Sequence, residues 1–268
     1  MIRIFFSLIL ATACLAVNAF AEDVDKVAQW RFESADGLPG EVVGGAKVVA
    51  SELQTPRYPD FAAENKVLQL KAPSWIRIGD DAGESRFDFD NGDAVTFEAW
   101  VRVDSMGENV YLIGKGRTGK SGPKVLNQNW AFRLRKSNGK ACVNFLFRSR
   151  KTDDHPGDWH RWTSKEGFAS GSRWHHVAVS YKFGEPKSIR GFIDGKEVKG
   201  AWDMGGPTHQ PPVVDNDDVW IGSSMGGSKA NSLQGALDNL SVHRREVPAD
   251  ELMSRFQWNP PPIKVPTI

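Results

Sequence analysis

The run Trp174-His175-His176-Val177-Ala178-Val179-Ser180-Tyr181 constrains this chain more than any other segment. In a strand, Val177, Val179 and Tyr181 share one face and Trp174, His176 and Ala178 the other. Both sets contain side chains that favour burial, so the segment reads as a central strand covered on each side. A polar connection follows, and the chain returns as Arg190-Gly191-Phe192-Ile193-Asp194-Gly195-Lys196-Glu197-Val198. Asp194-Gly195 between β-prone runs is a two-residue hairpin signal, because a type I′ turn needs positive φ at both positions. A covered strand, a long connection and a tight hairpin point to an antiparallel β-sandwich.

The rest of the chain fits that expectation. Strands are expected at Val27–Phe32, Val48–Ala50, Val67–Leu70, Trp75–Ile78, Ala94–Val103 and Val110–Lys115. Trp130–Arg135 and Ala141–Phe147 form a second hairpin around Asn138-Gly139. Gly37–Gly45, Arg148–Ser172 and Ala201–Asp218 read as loops, the second of them a long polar connection. Val219–Gly222 and Leu237–His243 finish the sheets. Pro248–Phe256 is the one convincing helix, with proline at its start and acids in its first turn.

Three segments organise the chain: a secretory signal over 1–21, one β-domain over 22–258, and a proline-rich tail over 259–268. Arg3, the apolar run Ile4–Val17 and the small-x-small site Ala19-Phe20-Ala21 define the signal. Cys14 lacks the large aliphatic that a lipidation site carries three positions before its cysteine. No later apolar run is longer, so the processed chain is expected to have no transmembrane segment. Without Arg3 it holds 33 basic and 33 acidic residues, which argues against recruitment by nucleic acid or anionic membrane. Its remaining cysteine, Cys142, sits in an apolar run and reads as a small buried hydrophobe.

Four segments carry a resemblance. Val95-Thr96-Phe97-Glu98-Ala99-Trp100-Val101, the Trp174 strand with Phe192-Ile193-Asp194-Gly195, Val219-Trp220-Ile221-Gly222, and Leu233 to Val242 occur in this order. Together they resemble the LamG-like jelly-roll domain of the concanavalin A-like lectin/glucanase superfamily. Asn239 and Leu240 replace the Glu and Val of that family's closing strand. The resemblance implies an all-β fold, two antiparallel sheets in a jelly-roll sandwich with one short C-terminal helix. It also implies non-catalytic recognition of a carbohydrate or an extracellular glycoprotein outside the cytoplasm. A structural or adhesion module of the cell envelope is the alternative, and a divergent polysaccharide hydrolase the third reading, since fold alone does not specify function.

No catalytic set is visible. Gly222-Ser223-Ser224-Met225-Gly226 matches a nucleophile elbow in letters, but a turn-like segment follows it where that motif needs a helix. Glu98 stands alone on its strand, whereas retaining glycosidases need two carboxylates, so a structural hydrogen bond is expected of it. Asp88-x-Asp90-x-Gly92-Asp93 starts like an EF-hand loop, but Ala99 stands where the bidentate Glu belongs. Asp238 lies inside an apolar strand and needs a partner for its charge; the resemblance implies a structural Ca²⁺ ligand there, and capping of backbone amides is the alternative. His175 and His176 are adjacent and face opposite sides, so they cannot chelate together. The expected ligand site is the Arg148–Ser172 connection, at Asp158, Trp159, His160, Arg161 and Trp162. Stacking tryptophans beside hydrogen-bonding groups suit the apolar faces and hydroxyls of sugars. Packing of Trp159 and Trp162 against a sheet is the competing role.

Overall fold

The computed structural model describes residues 25–80, 83, 85–120, 126–171 and 173–260; the expected signal and most of the proline-rich tail lie outside them. Sixteen strands follow in chain order: β1 Lys26–Trp30, β2 Glu41–Val43, β3 Lys47–Ala50, β4 Lys66–Leu70, β5 Trp75–Ile78, β6 Ala94–Ser105, β7 Asn109–Gly116 and β8 Gln128–Ser137. Then come β9 Lys140–Arg148, β10 Trp159–Phe168, β11 Trp174–Lys182, β12 Glu185–Ile193, β13 Lys196–Val198, β14 Gly200–Met204, β15 Val219–Ile221 and β16 Gln234–His243. One short helix, α1 Ala249–Ser254, follows. Among the described residues no helix is long and apolar enough to cross a membrane.

The first sheet runs β13-β12-β11-β6-β16-β4-β3, with β1 also paired to β16. The second runs β14-β10-β9-β8-β7-β15-β5-β2. Both are antiparallel, and together they form the jelly-roll sandwich. β11 sits between β12 and β6, and its first eight residues are all buried. Val177, Val179 and Tyr181 enter the inter-sheet core with Phe97, Phe132 and Phe145, while Trp174 joins a separate cluster on the outer face. The alternation of one strand thus feeds two packed layers. Both hairpin turns have the expected geometry: Asn138 and Gly139 have φ of 48° and 74°, Asp194 and Gly195 of 49° and 68°.

Four expectations for loops are corrected. β2 lies in the Gly37–Gly45 segment, and β14 takes up the start of the Ala201–Asp218 segment. The connection after β11 is short, since β12 already begins at Glu185. Most consequentially, Trp159–Phe168 is a strand, paired with β9 on one side and β14 on the other. Its sequence is polar enough to read as loop, but ladder partners on both sides override that composition.

Trp162 shows why β10 is held in place. Its indole is 4% exposed and belongs to the core. A Cβ on Gly200 would stand 2.1 Å from the ring, and one on Gly191 2.5 Å, so both neighbours must be glycine for the indole to fit.

Asp238 occupies a gap in the first sheet. β16 pairs with β4 through Leu237 and with β1 from Leu240 onward, and the register shifts between Asp238 and Ser241. Asp238, 1% exposed, accepts Asn65 Nδ2 at 2.8 Å and Asn239 N at 2.7 Å, with a further bond from the Phe32 backbone. It therefore ties the end of β1 to the start of β4. Burial raises its pKa to about 6, against the lowering effect of these three bonds.

Candidate functional site

The two sheets each bury an ionisable residue on the face turned away from the core, and they treat it differently. On the first sheet, Val95, Phe97 and Ala99 of β6 point inward, which sends Glu98 and Trp100 outward. Glu98 is 5% exposed. His243 Nε2 lies 3.0 Å from its Oε1, His176 Nε2 lies 3.4 Å from its Oε2, and Arg255 Nη1 also bonds Oε1. Burial alone would raise the Glu98 pKa, but the two histidines and Arg255 outweigh it and hold the carboxyl well below the usual range. Arg255 is delivered by α1, whose Leu252 packs on Ala178, Phe192 and Val247. Glu251 holds the same guanidinium from the other side.

A cleft of about 250 Å³ opens over this group, bordered by Gln29, Arg31, Asp60, Phe61 and Asn239, with Glu98 and His176 among its lining residues. Gln29 Nε2 donates to Asn239 Oδ1 at 2.6 Å. Two polar atoms of the lining residues keep hydrogen-bonding capacity that the described residues do not use. His176 Nδ1 is buried with no hydrogen-bond partner. A carboxylate accepts about four hydrogen bonds, and among the described residues Oε2 of Glu98 receives only the long contact from His176.

The outer face of the second sheet has the reverse polarity. Arg133 and Arg135 alternate on β8 with inward Phe132 and Leu134. Tyr111, Ala131 and Leu146 form a small cluster there, with Trp159 and Met204 packed against it. Arg117 and Arg148 lie over the Trp159 ring, 4.9 and 5.7 Å from its centroid. Arg161 Nε bonds Asp203 Oδ1 at 2.7 Å.

The five residues expected to form a loop site are therefore divided by strand alternation. Trp159 and Arg161 face outward. His160 and Trp162 face inward; His160 is 3% exposed, with ring nitrogens 3.0 Å from Gly206 O and 3.1 Å from Ser149 Oγ. Asp158 is exposed and accepts the Trp159 backbone N–H at 2.7 Å. The acidic motifs are consumed internally: Asp80 and Asp88 bind the buried Lys115, Asp93 pairs with Arg244, and Asp218 with Arg77. Among the described residues no group of three His, Cys, Asp or Glu side chains is arranged to hold a metal. At Asp238 the carboxylate accepts N–H donors from Asn65 and Asn239.

Sequence reading missed the partners of Glu98 and the arginines of β8. His243 and Arg255 lie 145 and 157 positions from Glu98, so no local spacing announces them. The alternation of Phe132-Arg133-Leu134-Arg135 was a usable signal for a basic outer face.

A sequence model of the concanavalin A-like lectin/glucanases superfamily matches residues 73–253. The chain belongs to this superfamily. No curated protein sequence matches it. Among solved structures, the binding domain of Paraclostridial Mosquitocidal Protein 1 is similar with a TM-score of 0.56 at 14% identity, over 87% of this chain and 52% of that one. Domain 4 of AbnA, an extracellular arabinanase of Geobacillus stearothermophilus solved with arabinotriose, gives 0.50 at 17% identity, over 88% and 100%. The binding domain of botulinum neurotoxin serotype G gives 0.50 at 9%, over 86% and 50%. The chain thus spans about half of the toxin chains and the whole of the arabinanase domain. At these identities the likeness is one of fold.

Proposed function

We propose that this protein is an exported, non-catalytic recognition module that binds a carbohydrate in the cleft over Glu98. The observation that carries the reading is the cleft itself. An ionised carboxylate and an unpartnered imidazole nitrogen lie at its base, amide and charged side chains form its rim, and Phe61 supplies an apolar wall. Sugar hydroxyls both donate and accept, which suits a carboxylate beside an imidazole nitrogen with no partner among the described residues. The volume is below that of pockets for drug-sized ligands and suits one sugar unit at a time. Membership of a superfamily of lectins and glucanases supports the substrate class, and the arabinotriose held by the arabinanase domain shows this fold serving it in another protein. Glu98 supports binding better than acid catalysis, because a carboxyl held far below its usual pKa carries no proton to give near neutral pH.

A glycan array with the full chain tests this, repeated with Gln29→Leu and Asp60→Ala. Both rim residues are exposed, so these variants are expected to lose binding at an unchanged melting temperature. Binding that survives both substitutions removes the cleft as the site. A silent array favours an adhesion module, and reducing sugar released from a polysaccharide panel favours a hydrolase.

A further inference from the structure

The outer face of the second sheet has its own chemistry, independent of the cleft. Arg117, Arg133, Arg135, Arg148 and Arg161 gather there, and the one carboxylate bonded to any of their guanidinium groups among the described residues is Asp203. Arg133 is 3% exposed, yet its partners are neutral: Nε donates to Asn144 Oδ1 at 2.7 Å and Nη1 to the Tyr111 hydroxyl at 3.5 Å. A buried charge is ordinarily neutralised by a counter-ion, so one left with neutral partners requires a reason. Burial lowers its pKa, and the charges of Arg117 and Arg161 push it the same way. Asn129, on the same face of β8, is 2% exposed with both atoms of its amide group unpartnered, and Arg117 Nε is likewise buried without a partner.

Trp159 organises the exposed part of this surface. Its ring attracts Arg117 and Arg148 by cation–π contact, which positions two cations without cancelling their charge. A neutral sugar stacking on that ring would compete with two guanidinium groups. An anion would be met by both. The planar guanidinium fork fits a carboxylate or sulfate oxygen pair. With a formal charge of only +1 on the whole chain, this is a local surplus rather than a general basicity.

We propose that this face is a second binding site, taking an acidic saccharide whose carboxylate or sulfate groups are received by Arg117, Arg148 and Arg161. Arg133 and Arg135 add positive potential beside them. The saccharide half of the assignment rests on membership of the superfamily, and the acidic half on the arginines alone.

The test uses three polymers with one backbone: dextran, carboxymethyl dextran and dextran sulfate, titrated against the full chain by calorimetry. Binding is expected to the charged forms and not to dextran, weakening with salt. The charged form that binds tighter identifies carboxylate or sulfate as the recognised group. Arg117→Gln with Arg148→Gln, and separately Arg161→Gln, should each weaken binding by about tenfold or more, the worth of a charge-assisted hydrogen bond. Lys187→Gln with Lys199→Gln, on exposed positions of another edge, and Gln29→Leu in the cleft should leave it unchanged. Equal affinity for uncharged dextran, or equal loss in the lysine variant, overturns the site. Equal affinity for polyglutamate overturns the saccharide. Loss in Gln29→Leu alone would assign the polymer to the cleft.

Discussion

Glu98 and Arg133 are both buried on outward faces of central strands, but their surroundings are opposite in kind. Glu98 has three charged or chargeable donors drawn from β11, β16 and the segment after α1, and its ionised form is strongly favoured. Arg133 has an amide oxygen and a phenol, and its charged form is disfavoured. A compensated buried charge acts as a tie between elements. An uncompensated one leaves potential for something outside the fold to answer.

Among the ionisable groups, removing the tie should have the largest effect. Glu98→Ala is expected to lower stability by about 3 kcal/mol in urea unfolding, the low end for a broken buried pair, since Arg255 keeps Glu251. Its pH dependence has a definite sign. The folded pKa lies below the unfolded value, so the contribution is complete above about 4.5 and drains as pH falls toward the folded pKa. A wild type and a Glu98→Ala variant whose stabilities fall in parallel through that range would show that Glu98 ties nothing.

Two tryptophans on β10 provide a comparable test within one strand. Trp162→Ala should cost about 3 kcal/mol or more as a core truncation, and Trp159→Ala about 1 kcal/mol, since its ring is half-buried outside the core. If Trp159→Ala instead abolishes polyanion binding without lowering the melting temperature, its role in positioning Arg117 and Arg148 stands. Equal losses of stability would mean that the strand does not separate the two faces as described.

Asp238 is the intermediate case, a buried carboxylate whose donors are one side-chain amide and two backbone N–H groups. Its folded pKa of about 6 exceeds the unfolded 3.8, so folding stability is greatest below 3.8 and declines as pH rises through 6. The full effect is about 3 kcal/mol at most. Asp238→Asn should flatten that slope, with a reoriented Asn65 amide satisfying the new side chain. The variant also tests calcium. Capping by the three N–H donors predicts the same change in melting temperature in calcium and in excess chelator, whereas a loss confined to calcium would make Asp238 a ligand.

The smallest effect is expected at Arg133. Arg133→Met replaces an uncompensated charge by a similar apolar volume, so stability should change by less than about 1 kcal/mol in either direction. A loss as large as that of Glu98→Ala would erase the contrast between the two faces and make Arg133 a tie as well.

Much of the fold was legible without coordinates, because the signals were local. Trp174–Tyr181 announced a strand buried on both faces, and Asn138-Gly139 and Asp194-Gly195 announced their turns through the φ values they tolerate. The short helix was legible from Pro248 and the acids after it. β10 was not, since nothing in Trp159-His160-Arg161-Trp162 indicates that ladders on two sides will claim it. Once it is a strand, a period of two decides which of its side chains can meet a ligand, and His160 and Trp162 turn inward. The sequence by itself determined the class of fold, the central strand and its hairpin, since those depend on backbone preference and alternation among near neighbours. Tertiary structure alone decided which charges are answered. Glu98 meets His243 and Arg255 across some 150 residues, whereas among the described residues Arg133 bonds only Asn144 and Tyr111, and compensation of a buried charge depends on what the distant chain brings within hydrogen-bond reach.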